Sequence, residues 1–172
     1  MKRARHLVRR FFGSLWPVGP SAEGEAWASA VLSDEEQALW RRMSRADRRH
    51  ALAVARRVEA AMGTDATHPV LAAALLHDVG KVASGLGTFG RVAATLAGLG
   101  GGRSVARDWQ RQRGFTRRVG LYLRHDELGA EMLAVAGSDP LTVAWAREHH
   151  LAAEEWTVSP PVATALKAAD DD

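Results

Sequence analysis

Ala74-Leu75-Leu76-His77-Asp78-Val79-Gly80-Lys81 is the stretch on which the reading of this chain turns. An apolar helical run passes directly into a His-Asp pair, followed by Gly and Lys. Such a pair offers a metal one imidazole nitrogen and one hard carboxylate oxygen from a backbone fixed by helix packing. The carboxylate has two oxygens and can bridge two ions. Gly80 is expected to end the helix in a left-handed conformation. Lys81 then stands one turn beyond, where a point charge meets a phosphate rather than the ions themselves.

Working outward, the acids and imidazoles fall in a set order. His50 lies upstream in Asp47-Arg48-Arg49-His50-Ala51-Leu52-Ala53-Val54. His125 follows downstream in Arg124-His125-Asp126-Glu127-Leu128-Gly129-Ala130-Glu131-Met132-Leu133, then Glu148-His149-His150, then Ala168-Ala169-Asp170. The order H…HD…H…HH…D, spread from Ser44 to Asp170, resembles the HD-domain superfamily of metal-dependent phosphohydrolases. His-Asp-Val-Gly-Lys, the run at His125 and the doubled His149-His150 look most like its HD-GYP phosphodiesterase branch. The Gly-Tyr-Pro signature of that branch is absent, and Leu151-Ala152-Ala153-Glu154-Glu155-Trp156 follows instead. A carboxylate one turn before the first His, as in some trinuclear members, would fall at Ala46. The resemblance therefore points to the superfamily and not to cyclic-di-guanylate hydrolysis.

The resemblance implies a core metal set of His50, His77, Asp78 and Asp170, with Asp78 bridging two ions. His125 and one or both of His149 and His150 would complete a second site. It also gives Lys81 a counterpart that meets substrate phosphate. Arg49, Arg124 and Arg147 are further candidates for phosphate, chosen only for their nearness in sequence to these ligands. Imidazoles with few carboxylates favour Mn, Fe, Co, Ni or Zn, with Mg allowed. The implied function is a phosphohydrolase or phosphodiesterase acting on a nucleotide or related phosphate ester. The alternatives are a nucleotide-binding regulatory module without turnover and, further off, a di-iron oxygenase.

Composition sets the bounds. A chain of 172 residues suits one core, and 47% hydrophobic content is ordinary for a globular protein. Ile and Asn are absent, and Ala, Leu and Arg are abundant, a bias towards helix. With no cysteine, any metal is left to His, Asp and Glu, and a thiol nucleophile is excluded. The net charge is +3. Arginines concentrate up to Arg57 and between Arg103 and Arg124, while the chain from Asp126 on is acidic. That pattern suits a small phosphorylated substrate at least as well as nucleic acid. No apolar run reaches bilayer length, and Arg9 and Arg10 interrupt a signal-like core, so a cytoplasmic location is expected.

Periodicity gives the organisation. Residues 1–20 read as an amphipathic helix (3–16) with a Pro-Gly linker. Leu7, Val8, Phe11, Phe12, Leu15 and Trp16 repeat at helical spacing, and the segment would dock on the domain or lie on a membrane surface. Residues 21–172 read as a single all-α, multi-helix bundle. Ser33 with Glu36 forms a capping box, and Ser44 starts the helix whose stripe is His50, Val54, Val58 and Ala61. Pro69 suits the first turn of the helix leading to His77. Residues 86–97 read as a helix, and Gly98 to Gly102 as a turn. Arg103 to Arg124 reads as helical and basic, anchored by Trp109, Phe115, Leu121 and Leu123. Leu128 to Ala136, then Asp139-Pro140 through His150, then Ser159-Pro160-Pro161 through Asp170 complete the set. His68 reads as structural.

Overall fold

The computed structural model describes residues 19–98 and 102–171, with the backbone alone for 102–104. The amphipathic segment expected over residues 3–16 lies outside the described residues. Ten α-helices and no strand are present among the described residues. They are α1 (Ala22–Val31), α2 (Asp34–Arg42), α3 (Arg45–Met62), α4 (His68–Leu76), α5 (Thr88–Gly98), α6 (Gly102–Gln110), α7 (Gly114–Leu123), α8 (His125–Val135), α9 (Pro140–Glu148) and α10 (Pro160–Asp171). The protein is an all-α bundle.

The helix starts follow from their caps. The Ser21 hydroxyl accepts from Gly24 N–H at 3.1 Å. Ser33 and Glu36 exchange side-chain and backbone bonds at 3.2 and 3.0 Å. Ser44 and Asp139 cap α3 and α9, each satisfying an N–H that the helix cannot.

Helix α4 is the hub. Every residue from Val70 to Leu76 is buried, because α1, α3, α9 and α10 all pack around it. A helix apolar on all sides is stable only in such a place. Leu75, Leu76, Leu133, Leu166, Trp40 and Trp145 fill the core it shares; each buried aliphatic contributes about 1.5–3 kcal/mol. No single helix among the described residues is long and apolar enough to cross a membrane.

Helices α5, α6 and α7 form an outer layer on a smaller cluster of Leu86, Ala94 and Val119. The stretch expected as one helix from Arg103 to Arg124 is two. It breaks at Gly114, whose φ of +59° lies in the region only glycine adopts freely. Its anchors also differ. Val119 and Ala106 are buried, and Trp109 and Leu123 pack against the small cluster, but Phe115 is exposed. On α3 the inward stripe is Ala51, Val54, Ala55 and Val58; Ala61 faces solvent, and the last inward contact of the helix is made by Met62.

Candidate metal centre

Helix ends supply every side chain of the centre but His50, which lies in the second turn of α3. Helix α4 stops at Leu76, so His77 and Asp78 leave it at the cap and both point into the bundle. A 3₁₀ turn, Val79–Ser84, follows. Helix α8 begins at His125, three residues earlier than expected, and α9 ends at Glu148 with His149 as its cap. That early end answers how two consecutive histidines serve one centre. Inside a helix they would diverge by about 100°; beyond its end their rings lie 3.9 Å apart, centroid to centroid. Helix α3 contributes His50 and α10 contributes Asp170. Asp170 is buried, while Asp171 is exposed and pairs with Lys167 at 3.1 Å, so of these two Asp170 shares the inward face.

Gly80 does not take the left-handed conformation expected of it; that role falls to Gly85, at φ +58°, which closes the 3₁₀ turn. The requirement at Gly80 is space. A Cβ there would stand 1.9 Å from the His125 carbonyl oxygen and 2.5 Å from Gly129 N. Only a residue without a side chain lets the turn carrying His77 and Asp78 lie against the start of α8.

The donor atoms fall into two groups that share Asp78. One is His50, His77 and Asp78; the other is Asp78, His125, His149 and His150. In the first, His77 Nε2 lies 3.4 Å from Asp78 Oδ2 and 3.6 Å from Asp170 Oδ1, and His50 Nε2 lies 2.9 Å from that Asp170 oxygen. In the second, His125 Nε2 and His149 Nε2 lie 3.3 and 3.7 Å from Asp78 Oδ1, and His150 Nε2 lies 3.1 Å from His125 Nε2. Ligands about 2.1 Å from a first-row ion in tetrahedral array stand about 3.4 Å from one another. The spacing fits.

The tautomers fit as well. The Nδ1 atoms of His77, His125 and His149 donate to the carbonyls of Ala74, Tyr122 and Ala146 at 2.9, 2.8 and 2.9 Å. Each neutral ring then turns a bare Nε2 into the centre, the usual arrangement for a metal-binding imidazole. The Nε2 atoms of His77 and His149 are buried and make no hydrogen bond. Buried polar atoms are normally satisfied, so two orphaned lone pairs aimed at one carboxylate call for a cation. The group could hold a metal ion.

Charge follows from the same geometry. Burial would raise the Asp78 carboxyl, but Lys81 and His77 overbalance it and hold it well below the ordinary value. Burial would lower His77, yet Asp78 and Asp170 raise it. His149 is depressed, by burial and by His77 and His125. His150 is depressed too, by desolvation and by its neighbours His149 and His125, although its outer edge is exposed.

Lys81 folds back to donate to Asp78 Oδ2, where it was expected to point away from the ligands. Among the candidate arginines, Arg124 is bound to Glu127 and Gln110, Arg49 is half-buried, and Arg147 is exposed on the last turn of α9. His68 is exposed at the start of α4. Sequence reasoning missed the second role of Asp47. Beyond its cap bond to Ser44, Asp47 takes Arg91 of α5 at 2.6 and 2.8 Å and tethers the outer layer to α3. Burial alone would raise its carboxyl, but Lys81 and Arg91 bring it below the ordinary value. The signal was its position three residues before His50, hence on the same face.

No family model, curated protein or solved structure matches this chain.

Proposed function

We propose that the protein is a metal-dependent phosphohydrolase or phosphodiesterase of the HD type, acting on a nucleotide or related phosphate ester. The observation that carries the reading is the sharing of Asp78. One buried carboxylate stands between two sets of imidazoles, with the lone pairs of His77 and His149 turned inward. A pair of divalent transition-metal ions held there would polarise a phosphoryl oxygen and supply the nucleophile for in-line attack. The chain's own part is to hold. His50, His77 and Asp170 would seat one ion, His125, His149 and His150 the other, and Asp78 both. The carbonyls of Ala74, Tyr122 and Ala146 keep the rings in the binding tautomer. Lys81, 11% exposed on its side chain, would leave Asp78 Oδ2 and balance phosphate charge at the surface. With no cysteine in the chain, no thiol nucleophile competes with this reading.

A screen of nucleotides and phosphodiesters with Mn, Fe, Co, Ni, Zn and Mg, paired with elemental analysis of the active form, tests it. Phosphate or nucleoside monophosphate release that tracks metal content is expected. Tight nucleotide binding without turnover under every metal would favour the regulatory module. Oxygen uptake by an iron-loaded form would favour the oxygenase.

A further inference from the structure

A row of alternating charge leads outward from the shared carboxylate. Lys81 donates to Asp78 Oδ2. Asp47 comes next, with its carboxylate near enough to Lys81 and Asp78 for their charges to act on it. Arg91 closes the row on Asp47, at 2.6 and 2.8 Å. Asp47 stands three residues before His50 on the same face of α3. It is therefore displaced from that ligand by about one helical turn, on the order of 5 Å.

Arg91 reaches this place from the packed face of α5. Ala94, three residues on, is buried in the cluster against which Tyr122 packs. The Tyr122 ring in turn stacks on His125, at 5.6 Å between centroids. Burial would lower the Arg91 guanidinium, but Asp47, and after it Tyr122 and Asp78, raise it above its ordinary value. The guanidinium is thus set between a residue beside His50 and a residue against His125. Its donors are divided unevenly. Nε donates to the Leu86 carbonyl at 3.0 Å, and Nη1 alone spans both oxygens of Asp47. A guanidinium used only as a tether commonly sets two nitrogens against a carboxylate, in parallel. Here Nη2 makes no hydrogen bond among the described residues, and the Arg91 side chain is 20% exposed. The tether is complete without Nη2.

We propose that this row binds a substrate with two adjacent phosphate groups. Lys81 meets the phosphate at the metal centre, Arg91 Nη2 takes an oxygen of the next phosphate, and Asp47 is the positioning residue that seats Arg91. The inference deepens the phosphohydrolase reading of the centre and rests on it. It makes the substrate class a nucleotide with a di- or triphosphate chain, or another pyrophosphate ester. A monophosphate held at the centre would leave Nη2 unused. With Lys81 on one side and Arg91 on the other, Asp47 leaves the outer end of the row positive, and a planar guanidinium edge suits phosphate oxygens.

Inorganic pyrophosphate and orthophosphate are the probes, titrated by calorimetry into the full, metal-loaded chain, with metal content checked afterwards. The wild type is expected to bind pyrophosphate more tightly than orthophosphate by about tenfold or more, the scale of one charge-assisted contact. Arg91→Lys keeps a cation for Asp47 but has no second planar edge. It should lose the advantage of pyrophosphate and bind orthophosphate as the wild type does. Asp47→Asn, which keeps Arg91 and loosens its seat, should lose part of the advantage, and it carries the test if circular dichroism finds Arg91→Lys unfolded. Arg118→Lys weakens a different tether of the same layer, to the carbonyls of Ser84 and Gly85, and should keep the full advantage. The inference is overturned if the wild type does not prefer pyrophosphate, if Arg91→Lys keeps the preference, or if Arg118→Lys loses it as well. Turnover is read separately. An Arg91-dependent preference in a chain that hydrolyses no phosphate ester supports the contact and sinks the hydrolase reading. Hydrolysis of monophosphates with no such preference does the reverse.

Discussion

The two donor groups of the candidate metal centre are built from different residues by different parts of the chain. The half formed by His50, His77 and Asp170 draws on α3, the end of α4 and the last turn of α10, and it holds two carboxylates when Asp78 is counted. The half formed by His125, His149 and His150 comes from the start of α8 and the end of α9, and its only carboxylate is Asp78. The supports differ at one residue. His50 reaches Asp170 directly at 2.9 Å, whereas His77, His125 and His149 are each fixed through a backbone carbonyl. What joins the halves is the shared Asp78, the edge-on contact of the His77 and His149 rings at 5.2 Å between centroids, and the close approach of backbone on backbone at Gly80. Each prediction below tests how far that difference between the halves goes.

The largest effect is expected at the shared residue. Asp78→Ala should empty both halves at once, taking metal content and phosphate release to background while helical content is kept. Elemental analysis that finds the wild-type metal ratio in Asp78→Ala would end the site assignment. Gly80→Ala should come next. Its methyl would enter the His125 carbonyl, so α8 must retreat, at about 1–3 kcal/mol for overpacking. A Tm lower by about 2–10 °C is expected on that cost, and His125, not His77, should lose its place. A metal content that falls by half while Asp78 stays in place is the corresponding reading. Wild-type Tm with full metal would show that the close approach is not required.

Acid should separate the halves. His77 is raised, so it is protonated at a pH where an ordinary imidazole is already neutral, and it must shed that proton to bind a cation. His149 and His150 are depressed and remain bare as the pH falls. Protons therefore compete first at His77, in the carboxylate-rich half, at a pH above that of an ordinary imidazole, and at His149 and His150 only below it. Metal titrated at decreasing pH should leave in two steps. His77→Ala should remove the step at higher pH and His149→Ala the step at lower pH. Release in one step in both variants would mean that the halves are not distinct.

The same contrast explains what could be read from the sequence. The helices were legible because their signals are local: a Ser33-Glu36 capping box, Asp139-Pro140, and an unbroken apolar run from Val70 to Leu76. His50, His77, Asp78, His125, His149, His150 and Asp170 could be named from their order, and the fold brings all seven together. What could not be read is how elements meet. Gly80 looked like a helix terminator because its sequence neighbours are a helix and a lysine; its role depends on α8, about 45 residues further on. Asp47 looked like no more than a first-turn acid of the helix that Ser44 starts, and Arg91 is what reveals it as a tether. Phe115 looked like an anchor because aromatic side chains usually are, yet the break at Gly114 turns its helix and leaves it outside. The choice between His149 and His150 rested on the place where α9 stops, which no periodicity marks.

The smallest effect is expected at Lys81, and it bears on whether the bridge itself is tuned. Its ammonium sits on Asp78 Oδ2, the oxygen nearer His77, and 11% of its side chain is exposed. There it lowers the carboxyl's affinity for protons, and it also competes with a cation for the same oxygen. Removing it should therefore leave metal binding in the carboxylate-rich half unchanged or slightly tighter, with the imidazole-rich half unaffected. Loss of one charge-assisted contact to phosphate, about 1.5–3 kcal/mol, corresponds to a fall in kcat/KM of about tenfold or more. Lys81→Ala should show that fall with full metal content, and Lys81→Arg should recover part of it. If Lys81→Ala instead loses metal from the His50 side while kcat/KM per bound ion stays at the wild-type value, Lys81 serves to hold Asp78 in place and not to meet substrate. The phosphate contact would then have to come from Arg49 or Arg147.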